Sequence, residues 1–473
     1  MMIVIVLACL VVVLTSTSTV TASSSSSGSS GIKSIEFPVQ PPTFNANEHT
    51  EWSDVSVLGS RRADINVPFV NNDGDDDNIH LIRLDLIGSS YDRGYAHGAL
   101  LTKEIVEFVG PKLSKFFMDE VANIDVSSYP KAIQDIFKVA ELAAPVAFKK
   151  AMAFVWEKEK EYVPQHILDE INGIANGICS NLGPSCDVNE WNEKLQELNM
   201  LPELIRMACT AYGAYGKATQ SGGLIQLRAL DFGTGPFANY TVVSVSRAPS
   251  GGFVSISFPG FVGAITGISQ SGIGISEKVW MVYKEHGSLL PGSYNGLADV
   301  LVLREILEFS KTKEEAEAYL SGVKRTWAMW IGIGDYASQS FNLVGYKEDS
   351  ATPYTDVTMP QMTGQPFLED LCYVDKHPQP SGDGPTGTLP TALQAFYGNI
   401  TLDTTKVTTQ YHQTGDLHTA IYDYKAKQMY VSIGRINHDG KYCPESDCSD
   451  SDKWMAYNRP SVKFNLEDLW AGF

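Results

Sequence analysis

The chain has 473 residues, 43% of them hydrophobic and 19% charged, with 36 Lys and Arg against 55 Asp and Glu and a formal net charge of −19. This is globular composition with an acidic surplus, long enough for two or three domains or for one large layered fold with an ample core. It excludes a small disulfide-stapled scaffold. It also argues against nucleic-acid binding, which needs a basic face to displace counterions from phosphates, and against attraction to an anionic membrane.

Residues 1–22, MMIVIVLACLVVVLTSTSTVTA, carry an unbroken apolar run from Met1 to Leu14. That is shorter than the ~20 residues a spanning helix needs. With Val20-Thr21-Ala22 as a small-residue cleavage site it reads as a signal peptide, although the usual Lys or Arg before the apolar run is missing. The competing reading, a buried core segment, is disfavoured by the SSSSSGSSG stretch from Ser23 to Gly31. Residues 23–79 read as a Ser-rich and acidic linker with Pro38, Pro41, Pro42 and the run from Asn71 to Asn78, which lacks the Gly and Glu positions of an EF-hand. No later stretch approaches membrane-spanning length, so no stable membrane insertion is expected.

From 80 to 208 the chain reads as mainly helical after an opening strand HLIRLDLIG, with helical periodicity from Tyr91 through about Leu182. The character changes after Arg206. CTAYGAYG, GLIQLRALDF, YTVVSVSRAP, GFVSISFPGF and GAITGISQSGIGISEKVW are short β-rich runs divided by Gly, Pro and Ser. A helical stretch, LADVLVLREILEFSKTKEEAEAYLSGV, separates them from WAMWIGIG, SFNLVGYKE, TAIYDYKA and QMYVSIG. Residues 209–473 are therefore expected to hold two groups of antiparallel strands, stacked face to face and covered by helices, in an α+β layered fold. Trp280, Trp327 and Trp330 read as core. Sequons at Asn239 and Asn399 fit a secreted or lysosomal route. Cys179/Cys186 and Cys443/Cys448 are spaced to close small disulfide loops, which leaves Cys209 and Cys372 once Cys9 departs with the signal.

The search for chemistry finds no phosphate-binding loop, no zinc helix and no Gly-x-Ser-x-Gly elbow. His412 and His418 bracket QTGD at a spacing that is a weak metal signal, so neither metal nor cofactor is expected. What remains is Cys209 at the helix-to-strand switch, followed by Arg228-Ala229-Leu230-Asp231. If the two runs pair antiparallel, Arg228 and Asp231 lie near the start of the Cys209 strand. A guanidinium beside the sulfur would stabilise a thiolate, and Asp231 could hold a nearby ammonium. Bland alternatives stand beside this: Cys209 as an inert buried hydrophobe, and Arg228 with Asp231 as a structural ion pair.

Taken in order, DLIGSSYDRGYAHGALL, LDEINGIANGI, ACTAYGAYGKATQSGGLIQLRALDF, GISQSGIGIS and LHTAIYDYKAKQMYVSIG resemble the cysteine-type N-terminal nucleophile hydrolases from about His80 onward. They are close to the penicillin acyl-coenzyme A acyltransferase branch and more distant from acid ceramidase, N-acylethanolamine acid amidase and bile-salt hydrolase. The resemblance implies a four-layer αββα sandwich and self-cleavage between Ala208 and Cys209. It implies a smaller subunit from 80–208 and a larger one from 209–473, with the freed α-amine of Cys209 as base and Asp231 orienting it. The implied substrate is a small-molecule linear N-acyl amide, possibly a lipid, cleaved through a thioester. The family's oxyanion-binding Asn is missing: Tyr373-Val374-Asp375-Lys376-His377-Pro378 stands in its place. Lys376, a protonated Asp375 or Asn342 are the candidate donors beside the backbone, and His377 reads as structural. Acyl transfer to an amine and a noncatalytic secreted glycoprotein are the alternative outcomes of the same fold.

Overall fold

Runs in which every second residue is apolar build the strands of two sheets in the computed structural model, which describes residues 37–69, 78–114, 116, 131–139, 144–204, 208–232, 237–280, 293–360, 365–376, 388–435 and 455–471. In chain order the strands are β1 Thr43–Asn45, β2 Thr50–Val57, β3 Ser60–Val67, β4 Ile79–Ile87, β5 Ala208–Ala214, β6 Ile225–Asp231, β7 Val242–Ala248, β8 Gly251–Ser257 and β9 Thr266–Ser269. They continue as β10 Ile273–Val279, β11 Met329–Asp335, β12 Ser340–Tyr346, β13 Ala351–Tyr354, β14 Leu371–Val374, β15 His418–Asp423, β16 Gln428–Ile433 and β17 Ser461–Asn465. One sheet runs β1-β17-β16-β15-β6-β5-β14 and the other β13-β12-β11-β10-β9-β8-β7-β4-β3-β2.

Three apolar layers hold these sheets. Between them, Val243, Ile256 and Phe341 of the ten-stranded sheet meet Ala420, Tyr422 and Val431 of the seven-stranded one. On the far side of the smaller sheet, Tyr212, Leu227 and Ile421 pack under Leu389 and Leu402 of the helices Thr388–Ala395 and Leu402–His412. Outside the larger sheet, Leu84, Ile275 and Ile331 pack under the helices Ser90–Leu100, Gln165–Leu182 and Asp299–Phe309. The fold is α+β, two stacked sheets with helices outside both.

Two expectations need correction. The sheets are mixed rather than purely antiparallel, because β1 pairs parallel with β17 and β4 parallel with β7. The segment read as a linker over 23–79 is partly structural: β1, β2 and β3 belong to the sheets, and only its residues 23–36 and 70–77 lie outside the described residues. β2 is an edge strand with a largely exposed pattern, which gave it a polar, loop-like text. The sign of the hairpin was Leu58-Gly59, where both residues adopt positive φ (51° and 78°) as a tight two-residue turn demands. The signal peptide 1–22, Cys443, Cys448 and His377 also lie outside the described residues.

Candidate active site

β5 and β6 pair antiparallel with Ala208 opposite Asp231, Cys209 opposite Leu230 and Ala211 opposite Arg228. Along β6, Ile225, Leu227 and Ala229 enter the outer core, so Gln226 and Arg228 face the space between the sheets. Gln226 Nε2 donates there to Ser276 Oγ of β10 at 3.2 Å, and Arg228 Nη2 donates to Glu277 Oε1 at 2.6 Å. Polar residues on a buried face are expensive unless paired, and here the pairing is done across the two sheets. Arg228 also donates from Nε to Ile265 O at 3.2 Å and from Nη1 to Ala229 O at 2.8 Å. Arg228 is thus ion-paired with Glu277 and not with Asp231.

Cys209 is fully buried, and its thiol donates toward Glu277 Oε1 at 3.8 Å. Burial pushes the thiol well above its ordinary range; the Arg228 charge opposes that rise and Glu277 adds to it. Glu277 is itself raised by burial, against the pull of Arg228 and Lys278. For Arg228, burial opposes the charge, but Cys209 and Glu277 outweigh it and keep the guanidinium firmly ionised.

Asp231 is held by the residues that lead into β15. Its Oδ2 accepts from Thr414 Oγ1 at 2.5 Å and its Oδ1 from Gly415 N at 2.8 Å, while Lys376 Nζ stands 3.5 Å from Oδ1. Thr414 Oγ1 also lies 2.8 Å from Thr210 Oγ1, which accepts from Lys376 N at 3.2 Å. Asp375 is buried against His412, whose Nε2 is 2.9 Å from Oδ1. Asn342 does not come to the site. It lies in β12 beside Phe341, which faces the space between the sheets, and so turns to the opposite side. There its amide donates to Glu317 Oε1 at 2.6 Å and accepts from Lys313 Nζ at 3.4 Å, both on the covering helix Lys313–Gly322.

The sequence reading missed Glu277, Lys278, Thr210, Thr414 and His412. A signal was present for the first two: β10 reads IGISEKV, every residue of it buried, and two adjacent charges in such a strand call for a partner. The others are ordinary Thr and His residues that only tertiary contacts bring together. His418, opposite Leu230 in β15, bonds to Thr266 Oγ1 at 2.8 Å. Burial first, and then the charge of Arg228, hold its pKa far below the ordinary range, so it is a neutral ring.

Beside these groups lies an apolar pocket lined by Phe108, Leu198, Phe232, Phe237, Phe258 and Ile265. Phe232 directly follows Asp231 and Ile265 is the residue whose carbonyl holds Arg228, so the pocket adjoins the polar cluster. The free space in it is about 30 Å³, the room of one or two waters. Cys179 and Cys186 form a disulfide, Cys372 is a buried free thiol in β14, and Asn239 and Asn399 are exposed. Trp327 and Trp330 are buried in the core, and Trp280 stacks on Trp330 at 4.2 Å. No helix among the described residues is long and apolar enough to cross a membrane.

No protein-family model matches the chain. It is 33% identical over 419 residues to protein dcd1A of Dictyostelium discoideum, covering 84% of this chain and 87% of that protein. It is 30% identical over 409 residues to protein dcd1B of the same organism, covering 84% and 76%. Among solved structures, the Caenorhabditis elegans N-acylethanolamine-hydrolyzing acid amidase ortholog is similar at 12% identity and a TM-score of 0.35, over 55% of this chain and 100% of that one.

Proposed function

The chain belongs to the family of the Dictyostelium discoideum proteins dcd1A and dcd1B, and from its site we propose that it is a self-processing cysteine hydrolase of linear N-acyl amides. The observation that carries this reading is the register that sets Ala208 opposite Asp231 and Cys209 one step further in. A cut between Ala208 and Cys209 would release an α-amine at the strand end that faces a carboxylate already fixed by Thr414 and Gly415. An α-amine titrates near 7.7 to 8.0, close enough to a thiol to exchange a proton with it.

In the uncut chain the amine does not exist, and the buried thiol has Glu277 as its acceptor. Glu277 takes the thiol proton as Sγ adds to the Ala208 carbonyl and returns it to the Cys209 nitrogen as the C–N bond breaks; water then hydrolyses the thioester between Ala208 and Sγ, which frees both the thiol and the α-amine. After the cut, the α-amine of Cys209 takes over as base. Sγ adds to the substrate amide carbonyl, the amine leaves with a proton from the α-ammonium, and the thioester is resolved by water. The phenylalanine-lined pocket has the apolar lining an acyl chain needs, and its room for one or two waters must widen to admit one. Leu198, Leu201 and Pro202 in its wall precede the cut, so severing the chain loosens that wall. The disulfide and the exposed sequons support a secreted or lysosomal route.

Mass spectrometry of purified, active protein is expected to find a new N-terminus at Cys209, and Cys209→Ala is expected to abolish both the cut and amide turnover. A single uncut chain that hydrolyses amides would end the proposal.

A further inference from the structure

The inference here concerns the oxyanion of the amide-cleaving reaction and rests on the amide-hydrolase reading above. Three side chains are the candidate donors to that oxyanion beside the backbone, and all three are engaged elsewhere. Asn342 bonds to Glu317 and Lys313 on the covering helix. Lys376 donates to Gln413 O and stands 3.5 Å from Asp231. Asp375 is bound to His412.

Lys278 has not been spent in this way. In β10 it continues the row of Gly274 and Ser276, and Ser276 faces Gln226 across the space between the sheets. Its neighbour Glu277, in the other row, reaches within 3.8 Å of Cys209 Sγ, so this end of β10 lies at the nucleophile, and the Lys278 charge acts on Cys209 and on Asp375. Lys278 is only 3% exposed. Arg228 has Glu277, Lys376 has Asp231 and His412 has Asp375, but no carboxylate among the described residues pairs with Lys278. Its one hydrogen bond among the described residues is to Val279 O at 3.3 Å, so among them two of its three ammonium donors are unused. A buried, unpaired cation is costly to keep. Burial pulls its pKa down while Cys209 and Asp375 act to restore it.

We infer that Lys278 is the oxyanion-binding catalytic residue, donating a hydrogen bond to the substrate carbonyl oxygen as it becomes negative. When Sγ forms its bond to the carbonyl carbon, the π pair moves to oxygen and the alkoxide meets the ammonium. When the pair returns, the C–N bond breaks, the amine departs with the proton of the Cys209 α-ammonium, and Lys278 is left unchanged. The cation that lacks a counter-ion at rest acquires one only in the adduct, where stabilisation accelerates the reaction.

The test compares the full chain with Lys278→Met and Lys278→Arg, using a fatty-acyl 7-amino-4-methylcoumarin amide as substrate and iodoacetamide as thiol probe. Alkylation by iodoacetamide creates no oxyanion, so it separates this role from activation of the thiol. Lys278→Met is expected to lower kcat by about 10²- to 10³-fold, with KM and the alkylation rate each within about threefold of the parent, and Lys278→Arg to recover at least a tenth of the parent rate. Self-cleavage passes through an oxyanion at the Ala208 carbonyl too, so a Lys278→Met chain that stays uncut at unchanged melting temperature, beside a Lys278→Arg chain that is cut, counts the same way. Near-parental turnover by Lys278→Met, or alkylation that falls in step with turnover, overturns the inference. So does a Lys278→Arg chain as inactive as Lys278→Met. A parent chain that is itself uncut and inert toward the amide would mean that the hydrolase reading has failed, a different result from any of these.

Discussion

Cys209 in the uncut chain is a buried thiol whose neighbours disagree about its charge: burial and Glu277 oppose ionisation, and Arg228 favours it. Arg228 cannot act on the sulfur alone because Glu277 holds its Nη2 at 2.6 Å. Glu277 Oε2 has no hydrogen-bond partner among the described residues, so the carboxylate keeps a free acceptor beside the thiol. Glu277→Gln keeps the size of the side chain and the contact to Arg228 but cannot take a proton. Its expected effect is self-cleavage slowed by about 10²-fold or more, followed on a gel over time, with melting behaviour retained. Unaltered cleavage would remove Glu277 from the reaction.

The helices Ser90–Leu100 and Gln165–Leu182 cross at unusually close range. A Cβ on Gly94 would stand 2.0 Å from Glu170 O, and one on Gly177 2.1 Å from Tyr95 O. Two of the runs that carried the family resemblance, YDRGYAHGALL and LDEINGIANGI, therefore owe their glycines to a backbone contact that no other residue permits. The same crossing brings His97 to Gly260, whose N donates to Nε2 at 3.0 Å. Burial lowers His97 to about 4 from 6.5. The unfolded chain thus binds the proton first, so the stabilisation is complete above pH 6.5 and is lost as pH falls toward 4. The expected loss of unfolding free energy across that window is about 3 kcal/mol, and urea titrations at several pH values should show a shallower slope for His97→Gln. An identical slope in the two proteins would exclude His97 as its source.

At the scale of the whole molecule, the part before Cys209 is not a detachable cover. It contributes β1 to one sheet and β2, β3 and β4 to the other, with β4 hydrogen-bonded to β7 from beyond Cys209. It is also tied to the helix Asp299–Phe309 by a buried ionic cluster. Arg304 Nη2 meets Glu170 at 2.8 Å and Glu308 at 2.7 Å, and Arg93 Nη2 meets Glu308 at 3.1 Å and Glu170 at 3.3 Å. Glu170 and Arg93 precede Cys209 and Arg304 and Glu308 follow it, so the cluster spans the proposed cut. Removing one partner leaves buried charges uncompensated, at a cost of about 3–5 kcal/mol. Glu170→Ala is therefore expected to let the two halves of cut protein separate at lower urea, as read by size-exclusion chromatography, while the parent halves stay together.

The layered α+β class, the helical character before Arg206, the strand pair carrying Cys209 and the adjacency of Asp231 to its start were all legible in the residues. They rest on local signals: periodicity, Gly and Pro punctuation, and one hairpin whose register follows from alternation. The hairpin of β2 and β3 was illegible because an edge strand needs few apolar residues. The carboxylate that pairs with Arg228 was illegible for a different reason. Glu277 lies 49 residues away in the chain and reaches Arg228 only because two sheets are stacked, which no local pattern encodes. Which of Asn342, Asp375, Lys376 and Lys278 keeps an uncommitted donor was decided in the same way, since a side chain's availability depends on every neighbour that packing brings to it.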